Sequence, residues 1–266
     1  MHTTKAWLLY ATFLTAVSLI GFGHLADHPF DLDDGLYLAD SAKSSADWAF
    51  FFSADKHFAG RPVTELVLLF GYLAAGENPA FFHTLAIGFH LLASLLLALA
   101  CSSLGADRML SWSTGLLFLV GAAHFHAVFW ISAIAYPLAF CLSALALIGY
   151  ARYTETADGR WLAGLYAAAL AGVLAHIAAA AVWPFCLLIA WQQDRRQIAR
   201  LLPLGLILGG LIVWAVLYYP HTAQVQQASR VPELLDIGRN TLFFAVACYL
   251  LRTGCRWPSI DSRLGN

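Results

Sequence analysis

The sequence predicts an all-α protein: a polytopic bundle of transmembrane helices with about eight crossings. Hydrophobic residues make up 60% of the chain and charged residues only 12%. The apolar residues are gathered in runs long enough for one or two crossings of a bilayer. These runs span residues 7–23, 79–103, 110–150, 161–191, 201–219 and 241–251.

We interpret the chain, residues 1–266, as one membrane domain. The first apolar run is read as a retained helix rather than a cleaved signal peptide, because no convincing small-residue cleavage site follows it. The predicted parts are a first transmembrane helix (7–23), an outer loop with short interfacial helices (24–63), an interfacial or re-entrant helix (64–76), the remaining transmembrane helices (79–251) and a cytoplasmic tail (252–266).

The charge distribution predicts the orientation, because lysine and arginine favour the cytoplasmic side of a membrane. Arginines at 108, 152, 160, 195, 196 and 200 occupy mutually consistent positions on one side, and most carboxylates fall on the other. We therefore expect an integral protein of a bacterial inner (cytoplasmic) membrane with a cytoplasmic amino terminus. The acidic first loop is then extracytoplasmic.

Two apolar stretches have such arginines at both ends, and each must therefore cross the membrane twice. The first hairpin is predicted to turn near His124 and His126, and the second at residues 175–181. The second turn would bring His176 toward the outer face. Helix starts are predicted at Pro62 and at Asn78-Pro79, because asparagine caps a helix and proline suits its first position.

Asp33 and Asp34 are the sharpest candidates for chemistry. Adjacent carboxylates in an extended loop cannot both face one point, so one could act on a substrate while the other binds a metal or caps a helix. The alternative interpretation is that Asp31, Asp33 and Asp34 are turn and capping residues of a solvated loop. Sequence alone does not decide which of the pair points inward.

Arg61 lies at the end of the same loop, just before Pro62. A guanidinium at a helix start near lipid headgroups suits a phosphate or pyrophosphate, because it and the free backbone amides converge there. The alternatives are that Arg61 snorkels to the interface or pairs with Glu65.

Five histidines are candidate cavity-lining residues: His83, His90, His124, His126 and His176. The first two are seven residues apart, so they share a helix face but lie too far apart to chelate one metal ion. The other three are predicted to cluster near outer turns, where a zinc ion or haem could bind, although their spacing is not specific. We predict no metal ligand, and a divalent metal cofactor is left open.

Several segments, read in order, resemble the GT-C superfamily of integral-membrane glycosyltransferases, in particular the membrane region of bacterial tetratricopeptide-repeat and protein O-mannosyltransferase-like members. The segments are FDLDDGLY (30–37), RPVT (61–64), GENPAFFH (76–83) with His90, AHFHAVFWIS (123–132) and AAVWPF (180–185) running to Arg196. The resemblance covers roughly residues 7–200, and the order of the segments, rather than any single one, supports it.

The resemblance implies a function. In such enzymes an acidic residue of the first outer loop is the general base toward an acceptor hydroxyl, and basic side chains hold the phosphate of a polyprenyl-phosphate sugar donor. Carried over, Asp33 or Asp34 would be the base and Arg61 a donor-phosphate contact or loop anchor, with His83 and His90 lining the cavity. The implied partners are a lipid-linked sugar donor and membrane lipids.

The chain departs from this family in two places. Relatives usually have a charged cluster where this chain has residues 133–137 (AIAYP), and often a lysine near the position of His176. Part of the expected cationic site is therefore absent. A non-catalytic GT-C-fold subunit that docks on other membrane protein subunits is the alternative function.

Other classes have little support. The cysteines lie inside apolar runs or near the cytoplasmic edge, and no CxxC spacing occurs, so no disulfide framework is implied. Basic runs are short, and nucleic-acid binding is not expected.

Overall fold

The computed structural model describes residues 2–31, 33–57, 59–121 and 125–218. Within these ranges every regular element is a helix, so the all-α prediction is confirmed for this part of the chain. The α-helices are α1 (His2–Phe22), α2 (Asp34–Ala46), α3 (Trp48–Phe51), α4 (Pro62–Ala75), α5 (Pro79–Ser103), α6 (Arg108–Val120), α7 (Phe125–Phe129), α8 (Ala135–Thr156), α9 (Gly159–Ala175), α10 (Val182–Gln193) and α11 (Ile198–Tyr218).

Four helical segments of the described chain are long and apolar enough to cross a membrane, which indicates a membrane protein. They are Thr4–Asp27, Pro79–Ser103, Ile131–Thr156 and Arg195–Ala215, and so contain α1, α5, α8 and α11. The count of eight crossings is not confirmed. The eighth predicted crossing, 241–251, and the predicted tail, 252–266, lie outside the described residues.

The remaining apolar helices, α4, α6, α9 and α10, are shorter than the bilayer is thick. Helix α6, for example, has 13 residues and is therefore about 20 Å long, against a hydrocarbon core of about 30 Å. The charge pattern predicts where the chain turns back. It does not reveal how far each arm extends, because only the ends of an apolar run carry charges.

Helices α5, α8 and α9 form the centre of the bundle. Tyr150 of α8 and Leu165 of α9 are fully buried in the largest hydrophobic core. Gly149 permits this contact, because a Cβ there would lie 3.1 Å from the backbone nitrogen of Leu165. Small residues allow two helices to approach closely, which is how helices associate in membranes.

The connections between helices divide the bundle into two ends. The basic end contains the turns that precede α6, α9 and α11, with Arg108, Arg160 and Arg195 in or beside them. The loop end contains the first loop, the segment before α8 and the turn between α9 and α10. Two hydrogen bonds join these parts: Thr64 Oγ1 donates to the Ala175 carbonyl at 2.9 Å, and the Ser132 N–H donates to Asp34 at 2.8 Å.

The first loop is largely helical, as predicted. A buried ion pair between Lys56 and Glu65 ties it to α4, and the Lys56 ammonium also donates to the Phe51 carbonyl. His57 adds a second tie, because its Nδ1 lies 2.8 Å from the carboxylate of Asp40 in α2. Lys56 is almost fully buried, which is rare for lysine and requires such pairing.

The predicted helix starts are also confirmed. Pro62 is the first residue of α4, and Pro79 is the first residue of α5. The Asn78 side chain caps α5 by accepting the N–H of Ala80 at 3.1 Å. These starts were predictable because capping depends on neighbouring residues alone.

We predict that Gly115→Ala destabilises the protein by about 1–3 kcal/mol, because overpacking a close helix contact forces the helices apart. A Cβ at Gly115 would lie 2.5 Å from the Tyr10 hydroxyl and 2.7 Å from the Ser94 carbonyl oxygen. Thermal unfolding in detergent measures the effect. Gly88→Ala on α5 is the control: nothing lies within 4 Å of its Cβ, so equal destabilisation of the two variants would contradict this packing.

Candidate functional site

The charges of the predicted site residues Asp33 and Arg61 both act on one buried tyrosine at the loop end, and the charge of Arg61 also acts on His176. Tyr37 of α2 is only 5% exposed. Burial raises the pKa of its hydroxyl; Arg61 opposes this shift, and Asp33, Glu65 and Tyr136 add to it. We name this group the loop-end cluster: Asp33, Tyr37, Arg61, Glu65, Tyr136 and His176.

The two adjacent aspartates have different environments. Asp34, the first residue of α2, is fully buried. Its Oδ1 accepts the Ser132 N–H at 2.8 Å, and its Oδ2 accepts the Asp31 N–H at 3.3 Å. Asp34 therefore connects the first loop to the segment that begins α8.

Asp33 immediately precedes α2 and is partly exposed. Its side chain makes no capping hydrogen bond to the helix. Its charge nevertheless acts on Tyr37. Of the two carboxylates, Asp33 is thus the one that is accessible to solvent and acts on the cluster.

Arg61 is held through its backbone rather than through its side chain. Its N–H donates to Glu65 Oε1 at 2.9 Å, while the other Glu65 oxygen binds Lys56. The predicted alternative, an Arg61–Glu65 ion pair, is not formed. None of the four ion pairs between described residues involves the Arg61 guanidinium.

Glu65 is the buried acid of this arrangement. Burial raises the pKa of its carboxyl, and the neighbouring Lys56 acts in the opposite direction. The Glu65 carboxylate therefore depends on Lys56 and on the Arg61 N–H for stabilisation, because an unpaired buried charge is costly.

His176 occupies the turn between α9 and α10 and is only 3% exposed. Its Nδ1 accepts the Ala178 N–H at 3.2 Å. The ring lies against Tyr136, with centroids 4.3 Å apart. Burial, assisted by the positive charge of Arg61, holds the pKa of His176 well below its usual value.

His83 and His90 are both buried on the inner face of α5, as their spacing predicted. His90 Nε2 lies 3.0 Å from the Leu119 carbonyl at the end of α6, so it makes a structural contact between helices. The His83 ring lies 6.0 Å from that of His28, and neither of its nitrogens is hydrogen-bonded to a described residue. Neither histidine is part of the loop-end cluster.

The described residues include no group of three or more histidines, cysteines or carboxylates placed to hold a metal ion. His124 and the side chain of His126 lie outside the described residues, so their predicted clustering with His176 stays a prediction. The three described cysteines are free and buried: Cys101, Cys141 and Cys186.

Sequence reasoning missed two members of the cluster, Tyr37 and Tyr136. Tyr37 lies four residues after Asp33, which places both on one side of a helical turn, so its position was available from the sequence. Tyr136 gave no such signal, because it is 99 positions farther along the chain and reaches the site only through the packing of α8.

We predict that Asp34→Ala lowers the free energy of unfolding by about 2–4 kcal/mol, because it leaves the buried Ser132 N–H without an acceptor. For a protein of this size the melting temperature would fall by about 5–15 °C. The adjacent variant Asp33→Ala is the matched control and should change stability by less than about 1 kcal/mol. Equal losses in the two variants would contradict the assignment.

Comparison with known proteins adds no relative to this description. A scan against protein-family models, a search of curated proteins and a search of solved structures each found no match.

Proposed function

We propose that this protein is an integral-membrane glycosyltransferase that uses a polyprenyl-phosphate sugar donor, with Asp33 as general base and Arg61 as a contact to the donor phosphate. One observation carries the proposal. Asp33 immediately precedes α2 and Arg61 immediately precedes α4, two helices that share one hydrophobic core through Tyr37 and Leu68, and the charges of both residues act on Tyr37. The resemblance of the ordered segments to GT-C enzymes agrees with these roles.

The geometry favours Asp33 over Asp34 as the base. A general base must reach the proton that it removes from the substrate. Asp34 is fully buried, and both of its oxygens accept backbone N–H groups. Asp33 is partly exposed and does not cap α2. In this proposal Asp34 fixes the position of the first loop, and Asp33 takes the proton of the acceptor hydroxyl.

The proposed reaction is a displacement at the anomeric carbon of the sugar. Asp33 takes the proton of the acceptor hydroxyl, whose oxygen forms a bond to the anomeric carbon. The bond from that carbon to the phosphate oxygen breaks, and the leaving polyprenyl phosphate gains negative charge. Arg61 is suited to stabilise this charge, because its guanidinium presents a planar fork to phosphate oxygens and pairs with no described carboxylate.

Substrates would approach from the exposed side of the cluster. The cavity beside Tyr37, lined also by Lys56 and Glu65, measures only about 20 Å³, which is room for about one water molecule. Asp33 and Arg61 are partly exposed, and Tyr136 is 42% exposed. Under the positive-inside rule this side faces away from the cytoplasm, because the arginine-bearing turns lie at the opposite end.

We predict that Asp33→Asn lowers kcat by about 10²–10⁴-fold, since the amide cannot accept the proton of the acceptor. Arg61→Gln should mainly raise KM for the donor, because it removes a charged contact to the phosphate. Transfer of a radiolabelled sugar from lipid-linked donors to membrane acceptors, by purified protein in nanodiscs, measures both effects. Asp55→Asn, an exposed position of the same loop outside the cluster, is the matched control. Unchanged turnover in Asp33→Asn would rule out the role of base.

A non-catalytic subunit is the second candidate function, and exposed aromatic residues of the first loop favour it. Trp48 is 51% exposed and Phe52 is 71% exposed, and both are suited to an interface with a partner or with lipid headgroups. Mild detergent extraction from the native membrane separates the candidates. The subunit is supported if the wild-type protein transfers no sugar and runs in a larger complex that the double variant Trp48→Ser/Phe52→Ser does not form. A catalytically active monomer excludes the subunit.

A further inference from the structure

The hydrogen-bond partner of His176 identifies which ring nitrogen bears the proton. Nδ1 accepts the N–H of Ala178 at 3.2 Å, so Nδ1 has its lone pair free and bears no hydrogen. A neutral imidazole then has its hydrogen on Nε2. His176 is therefore an N–H donor through Nε2.

This donor has no acceptor in the described part of the chain. Nε2 is buried and forms no hydrogen bond there. An unsatisfied buried donor is costly, and native proteins rarely retain one without a reason. An oxygen atom of a ligand would satisfy it.

The surroundings indicate the charge of that ligand. Arg61, at the start of α4, is the charged group that acts on the His176 ring, and Tyr136 of α8 covers one ring face. The carboxylates of the cluster are Asp33 and Glu65, and Glu65 is already paired with Lys56. A cation without a described ion-pair partner beside an unsatisfied N–H donor favours an anionic oxygen ligand.

We propose that His176 Nε2–H and the Arg61 guanidinium together bind the phosphoryl oxygens of a phosphodiester, with neutral His176 as a positioning donor rather than as a second cation. The proposal rests on the proposed function for the identity of the donor lipid, but the binding it describes does not require turnover.

A neutral donor has a pH signature. Because Nδ1 accepts the Ala178 N–H, and because burial and Arg61 hold the pKa of His176 well below its usual value, we expect a neutral ring between pH 6 and pH 8. A phosphodiester keeps a single negative charge over that range, and burial raises the pKa of Tyr37 further above it. Binding should therefore change less than about 3-fold between pH 6 and pH 8, whereas a donor that needed protonation would lose affinity as the pH rises.

The test measures binding of farnesyl methyl phosphate, a lipid phosphodiester without a sugar, to protein in uncharged nanodiscs. His176→Phe keeps the ring contact with Tyr136 but removes the donor, so affinity should fall about 10- to 100-fold. His176→Gln restores an N–H donor and should bind within about 5-fold of wild type. His28→Phe, a histidine of the loop end outside the cluster, is the matched control and should bind as wild type.

Competition identifies the source of the phosphoryl group. Competition by inorganic phosphate shows that the site recognises phosphate itself, and competition by phosphatidylglycerol shows that a bulk headgroup suffices; both support the phosphoryl site. Wild-type affinity in His176→Phe, or equal losses in His176→Phe and His176→Gln at unchanged melting temperature, would overturn the proposal. Tight binding without sugar transfer would refute the proposed enzyme and leave the phosphoryl site intact.

Discussion

The hydrogen bond between the buried Asp34 carboxylate and the Ser132 N–H is the constraint on which the arrangement of the loop end depends. It joins the start of α2 to the segment that begins α8, across 98 positions of sequence. A carboxylate removed from water is stable only when its oxygens are hydrogen-bonded, so the bond allows α2 few other positions. Tyr37 and Asp33 are then held beside α8. The position of Asp33, the proposed base, therefore depends on the hydrogen bonds of the adjacent Asp34.

A second set of contacts brings Arg61 to the same place. The Lys56–Glu65 ion pair holds the end of the first loop, Glu65 accepts the Arg61 N–H, and Thr64 binds the Ala175 carbonyl next to His176. Arg61 is thus fixed by its backbone while its side chain is free of described ion pairs. Such an arrangement suits a phosphate contact, because a preorganised donor needs little reordering when the ligand binds.

Sequence predicted the local features well and the long-range ones poorly. The starts of α4 and α5, the helices of the first loop and the turn at His176 follow from capping residues, proline and charge placement, which act over a few positions. The roles of Asp33 and Asp34 could not be separated, because the choice depends on Ser132, a distant partner. An Arg61–Glu65 ion pair, which was one alternative for Arg61, does not form, because Lys56 pairs with the Glu65 carboxylate. The count of eight crossings included the arms of two hairpins, and two of these arms, α6 and α10, have only 13 and 12 residues.

A distance between α2 and α8 tests whether Asp34 fixes the first loop on α8. Leu36 and Leu145 are 42% and 43% exposed and can carry spin labels. After the native cysteines are replaced by alanine, pulsed electron paramagnetic resonance measures the distance between the two labels. We predict one narrow distance distribution when Asp34 is present and a broad one in Asp34→Ala, because the released loop samples several positions. The same narrow distribution in both proteins would contradict the account.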